Sequence, residues 1–182
     1  MKFCLALLTI SATAFAEPTT RLSIDTDPST FPLSGFSGWV MVKPAALEHV
    51  RFGAGGFGLE FPSFLVNVLN RTGEEGWGFG VRGAMGFAAY QFGDHRGLYV
   101  GAYAGYLQTR YTRDAMSATA NHVDLLPVVG YQWFPFDGYG AYVQPWVGAI
   151  TWFGGSTTIG THTFKDPYVI PLAALHVGWE FR

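Results

Sequence analysis

The chain is 182 residues long, about one domain, and is 49% hydrophobic, 17% aromatic and only 13% charged. So many aromatics with so few charges exclude a disordered chain. A formal net charge of −2 with no basic run argues against a nucleic-acid partner, because nothing would neutralise phosphates.

Residues 1–16 read as a secretory signal peptide: Lys2 gives a positive start, Phe3 to Ala14 is mainly apolar, and Ala14-Phe15-Ala16 is a small-x-small cleavage site. The stretch is shorter than the roughly 20 apolar residues of a spanning helix. The mature domain is then 17–182, and cleavage removes Cys4, leaving no disulfide and no Cys-ligated metal site. Beyond it no run of 18 apolar residues occurs, which argues against a helical membrane protein. An exported chain this apolar is reconciled by a β-barrel, whose apolar surface is spread over alternate residues of short strands.

In chain order, Thr20–Thr26 is the first expected strand, followed by a loop over Asp27–Gly35, a strand over Phe36–Lys43, a turn over Pro44–His49 and a strand over Val50–Phe61. Pro28, Pro32 and Pro44 crowd the first two strands, so a partial plug or an interfacial segment is the alternative there. An external loop over Pro62–Glu75 leads to a strand in which Trp77, Phe79, Val81, Met85, Phe87 and Ala89 oppose Gly78, Gly80, Arg82, Ala84, Gly86 and Ala88. After a short turn at Gly93–Arg96, the strand Leu98–Tyr111 is expected to turn Leu98, Val100, Ala102 and Ala104 outward. A long loop over 112–119 precedes the strand Val123–Trp133, with its odd-numbered residues outward. A short turn at Asp137-Gly138, the strand Ala141–Ile150, a long loop over 153–166 and a strand over Ile170–Phe181 complete the chain.

That makes eight strands, with large apolar residues expected outward and glycine, alanine and isolated polar groups inward. Long and short connections alternate, as in outer-membrane barrels with short periplasmic turns and longer external loops. The fold expected is therefore all-β: an eight-stranded antiparallel transmembrane β-barrel. Trp77, Trp133, Trp152 and Trp179 lie near strand ends, where aromatic rings mark membrane interfaces.

Four segments carry a resemblance: Phe61-Pro62-Ser63-Phe64-Leu65-Val66, Gly97 through Gly105, Val129 through Phe136, and the terminal Leu175-His176-Val177-Gly178-Trp179-Glu180-Phe181. Over roughly Gly35 to Arg182 the chain resembles small Gram-negative outer-membrane β-barrel proteins of the porin-like superfamily. The resemblance implies the barrel and an outer-membrane location, and no particular activity. Val177, Trp179 and Phe181 further resemble the terminal signal read by the outer-membrane assembly machinery, although Arg182 follows the last aromatic.

The inward faces are expected to carry Glu60, Arg82, His122, Asp124, Gln132, Gln144, His176 and Glu180 as a polar network, with Arg82 paired to carboxylates, because an eight-stranded lumen is only just wide enough for side chains to fill. The same groups allow two other readings, a narrow path for small solutes or protons and a ligand site. No catalytic, cofactor-binding or metal residues are assigned. Lipid A acyl hydrolases need a serine activated by histidine, and none of His49, His95, His122, His162 or His176 is followed two residues later by serine. Gly53 to Gly58 lacks the Lys-Ser/Thr of a phosphate loop, and Arg71, Arg113 and Lys165 fall in expected external loops, solvated or facing lipopolysaccharide phosphates. The expected role is envelope structure or surface interaction, without catalysis and with no cofactor. The alternatives are a narrow pore and, less favoured, a lipid A acyl hydrolase. Its expected partners are outer-membrane lipid, lipopolysaccharide and the assembly machinery, with the chain monomeric.

Overall fold

A computed structural model describes residues 19–93, 96–136, 140–151 and 155–181; the signal segment 1–16, the Asp137-Gly138 turn and Trp152 lie outside them. Eight antiparallel strands close into a barrel: β1 (Arg21–Thr26), β2 (Phe36–Lys43), β3 (Val50–Phe61), β4 (Gly78–Gln91), β5 (Gly97–Arg113), β6 (Met116–Gln132), β7 (Gly140–Thr151) and β10 (Val169–Phe181), which returns to pair with β1. Between β7 and β10, strands β8 (Ser156–Ile159) and β9 (His162–Lys165) form a separate hairpin, and a short helix α1 (Ser63–Leu69) follows β3. Closure leaves each barrel strand two neighbours, so the edge an open sheet would present is removed except beyond the end of the short β1.

Two ends can be distinguished. At the turn end lie Arg21, Lys43, Gln91, Gln132 and Glu180; at the loop end lie α1, the β8–β9 hairpin and a 3₁₀ segment, Pro28–Leu33. The external loop expected at 112–119 does not exist. β5 and β6 pair out to Arg113↔Met116, and Asp114 and Ala115, with φ of 47° and 64°, make a two-residue hairpin. Both central residues are left-handed, the geometry that usually calls for Asn-Gly, so this sequence gave no turn signal. The loop expected at 153–166 likewise holds the β8–β9 hairpin.

The alternation places Leu98, Val100, Val123, Leu125, Val129, Tyr131, Val147, Leu175 and Val177 on the outer wall, all exposed, as the sequence led us to expect. β4 is the reverse of expectation. Phe79, Val81, Met85 and Phe87 are buried inside, and Arg82 faces out. On β3 Glu60 also faces out, so Glu60 and Arg82 are not lumen residues. Register gives the reason: Tyr90 pairs with Val100, and paired residues share a face, so an outward Val100 requires an outward Tyr90 and therefore an outward Arg82. Side-chain size misleads here because the lumen must be filled, and along β3–β5 aromatic side chains fill it while glycine and alanine line the outer wall.

Candidate functional site

The polar groups of the lumen cluster toward the turn end. Asp25, on β1, is fully buried, and it accepts a hydrogen bond from the Tyr142 hydroxyl at 2.6 Å. His176 Nδ1 lies 2.8 Å from the other carboxylate oxygen, which places the ring proton on Nδ1 because a carboxylate only accepts. The close approach depends on Gly178, since a Cβ there would lie 2.5 Å from Tyr142 Cζ and 2.6 Å from Asp25 Cβ. Gly130 plays the same part for Tyr99, whose hydroxyl would be 2.4 Å from a Cβ at that position and which accepts a hydrogen bond from Gln144 Nε2 at 2.9 Å.

Arg51, which the sequence pattern did not mark, is buried with its guanidinium 5.1 Å from the centre of the Tyr99 ring and 5.5 Å from that of Phe87. Below it Gln91 donates to Gln132 at 3.2 Å, and Glu180 sits 3.4 Å from Arg21, within the fields of Lys43 and Arg51. Four expected residues, Gln132, Gln144, His176 and Glu180, thus meet in one region, but their charged partners are Asp25, Arg21 and Arg51 rather than Arg82. His122 and Asp124 are also buried and inward, farther up β6. Asp25 and Arg51 were legible only through register, as each sits in a segment whose inward parity the sequence leaves open.

Above this network the lumen turns aromatic. Trp39 stacks on His176 with centroids 6.0 Å apart and meets Tyr103 edge-on at 5.0 Å, and Tyr103 lies against Phe87 at 4.3 Å. At the loop end the β8–β9 hairpin folds across the mouth. Its Phe164 is fully buried against Trp77, Phe79 and Tyr111, with ring centroids 5.1–5.6 Å away. Trp77 is therefore part of this cork and not an interface residue, whereas Trp133 and Trp179 are half-exposed on the outer wall.

Backbone and side chains lock the hairpin to the segment after α1: Arg71 N donates to Lys165 O at 3.0 Å, Lys165 N to Asn70 Oδ1 at 3.1 Å and Thr72 Oγ1 to Thr163 O at 3.0 Å. Glu74 is 3.2 Å from His162 and 3.5 Å from Arg113. Neither Arg113 nor Arg71 is a merely solvated loop charge, for Arg71 lies 4.0 Å over the Tyr168 ring. Tyr111 donates to Asp166 at 2.7 Å. Burial holds the Asp166 carboxyl above its ordinary range, an effect opposed by that hydrogen bond.

On the outer wall Arg82 donates twice to Gln108 Oε1, at 2.9 and 2.6 Å, and Gln108 donates to Asn121 at 3.3 Å. The next outward row toward the loop end is Gly80, Arg110 and Thr119, while the next toward the turn end is Ala84, Tyr106 and Val123. The outer surface therefore changes from polar to apolar at Arg82. Along β10 the outward apolar residues run from Pro171 to Phe181. At about 3.4 Å per residue and a tilt near 45°, that stretch covers about 24 Å, against an apolar band of about 25 Å in outer-membrane barrels.

These features define a closed eight-stranded barrel with a buried polar network that includes Asp25, Arg51, His176 and Glu180 within and large aliphatic side chains displayed outside. No protein-family model and no curated protein matches the chain. Among solved structures, the N-terminal β-barrel domain of Pseudomonas aeruginosa OprF aligns over 91% of this chain and 98% of that one, with 9% sequence identity and a TM-score of 0.48.

Proposed function

We propose that this chain is an integral outer-membrane β-barrel protein with a non-enzymatic role in envelope structure or surface contact. The observation that carries the reading is the inside-out distribution of polarity: Asp25, Arg51, Gln132, Gln144 and His176 are buried in the lumen, while Val40, Val100, Val129, Val147 and Leu175 are exposed outside. A soluble monomer rarely displays so large an apolar surface, whereas lipid requires it. Val177, Trp179 and Phe181 are on that outer wall, in keeping with a terminal strand offered to the assembly machinery. The surface the protein would present beyond the membrane is the interlocked cap of 62–77 and 155–168, and its outer-leaflet neighbours would be lipid and lipopolysaccharide.

Phe164 across the mouth and the bonded network across the turn end favour a filled barrel over a narrow pore. His176 with Asp25 has the geometry of a base and its orienting carboxylate, but the serine and threonine hydroxyls that line the adjoining cavity are engaged elsewhere: Ser29 Oγ and Thr30 Oγ1 donate to Asp27, and Ser37 Oγ accepts from Asp27 N. The test is expression in a Gram-negative host. The chain is expected in the outer-membrane fraction as a heat-modifiable species, with lipid A mass unchanged. Loss of an acyl chain from lipid A would overturn the non-enzymatic reading, and a species in the soluble fraction would overturn the membrane one.

A further inference from the structure

The barrel wall is incomplete on one side. β1 ends at Thr26, opposite Val177, and pairs with β2 only as far as Asp25↔Trp39. Above that level, among the described residues, β10 from Val169 to His176 is paired only with β7, and β2 from Phe36 to Gly38 only with β3. The Pro28–Leu33 segment occupies the gap. It is fixed by Asp27 Oδ1, which accepts from Ser29 N at 2.9 Å, by Thr30 Oγ1 donating to Asp27 O at 2.8 Å and by Thr26 Oγ1 donating to Ser37 O at 2.8 Å.

Directly behind this seam is a cavity of about 160 Å³, lined chiefly by apolar side chains including Trp39, Leu59, Met85, Tyr103, Leu172 and Ala174. It adjoins the outside. Ser29, Trp146, Ala173 and Ala174 line both this cavity and a groove on the outer wall formed with Val129, Val147 and Leu175. Ala173 belongs to the lipid-facing row of β10, and Phe31, on the segment in the gap, is 57% exposed.

We propose that the seam admits the end of a bilayer lipid's acyl chain into this cavity. The inference rests on the membrane reading above. A dry apolar cavity of about 150 Å³ holds a benzene-sized ligand, so the space accepts the terminal segment of one chain and not a whole lipid. The occupant comes from the bilayer because the groove on the outer wall, which would face acyl chains, shares Ser29, Ala173 and Ala174 with the cavity, beside the edge of β10 that β1 leaves unpaired. The floor of Trp39, Trp146 and His176 then sets how deep the chain reaches.

The test uses the folded wild-type chain in phosphatidylcholine vesicles whose acyl chains end in a diazirine, followed by irradiation and peptide mapping. Labels are expected on lumen-facing Leu59, Met85 or Leu172 as well as on outward Leu175 and Val177. Ala174→Leu, which fills the cavity, is expected to lose the lumen labels at least several-fold and to keep the outward ones; Leu172→Trp is the second filler if the first does not fold to a heat-modifiable species. Outward labels alone in the wild type, or lumen labels unaffected by a folded filler, would overturn the inference while leaving the membrane reading intact. No label on either wall would overturn the membrane reading itself.

Discussion

Replacing Asp25 by alanine removes the acceptor for two buried donors at once, Tyr142 Oη at 2.6 Å and His176 Nδ1 at 2.8 Å. Leaving a buried donor unsatisfied costs about 1–3 kcal/mol, and the loss of both sums to roughly 2–6 kcal/mol. Tyr142→Phe removes one donor and leaves Asp25 its bond to His176, so it is expected to cost about 1–2 kcal/mol. Asp25→Asn keeps one acceptor oxygen and should fall between the two. Because the partners touch, the double variant Asp25→Ala/Tyr142→Phe should be less destabilised than the sum of the singles, by about 1 kcal/mol or more. Urea unfolding in vesicles, followed by tryptophan fluorescence and heat-modifiable mobility, measures all four. An Asp25→Ala protein within about 0.5 kcal/mol of wild type, the range of ordinary surface changes, would refute the claim that this carboxylate organises the lumen.

The outward placement of Arg82 predicts that Arg82→Ala changes stability by less than about 0.5 kcal/mol, whereas Arg51→Met, which strips the cation from Tyr99 and Phe87, costs about 2 kcal/mol in the same unfolding assay. Gly130→Ala puts a Cβ 2.4 Å from the Tyr99 hydroxyl and should cost about 1–3 kcal/mol, while Gly38→Ala meets nothing within 4 Å and should be nearly neutral. Phe164→Ala should release the cap: proteolysis between Thr151 and Val169 accelerates while the barrel itself stays heat-modifiable, and unchanged cleavage would show that Phe164 is not the cork. Asp166 binds its proton more tightly folded than unfolded, so its contribution to cap stability falls as pH rises from the ordinary carboxylate value of about 3.9 through its raised value. Asp166→Asn should therefore make the protease resistance of the hairpin flat over that interval, which a pH series of digests would measure.

Strand existence was legible because period-two alternation is strong in β6, β7 and β10, where Val, Leu and Trp sit opposite Gln, His and Gly. β2 and β3 fall on the residues expected from the sequence, Phe36–Lys43 and Val50–Phe61, despite the prolines around them. Inward and outward faces were harder to tell apart in β3 and β4, since a narrow lumen takes Phe87 and Met85 as readily as lipid does. The signal that resolves them is cross-strand parity: outward Val100 fixes Tyr90, Arg82 and, through the Gly58↔Arg82 pair, Glu60. The end of β1 at Thr26 was legible from Asp27 and Pro28, but the cap and the seam were not, because Phe164 finds its place through contacts with residues 53 to 87 positions earlier in the chain, and only the register shows that β10 and β2 run on past the end of β1.

The central claim is that lipid covers the alternate residues of β10 that carry Ala173, Leu175 and Val177 while the lumen takes Leu172, Ala174 and His176. Nitroxide scanning of positions 172–177, one cysteine at a time in a Cys4→Ser background, tests it in vesicles. Oxygen accessibility is predicted to rise and fall with a period of two, high at 173, 175 and 177, where a water-soluble nickel relaxant finds little access. Uniform accessibility along the strand, or strong nickel access at the odd positions, would contradict a barrel embedded in lipid.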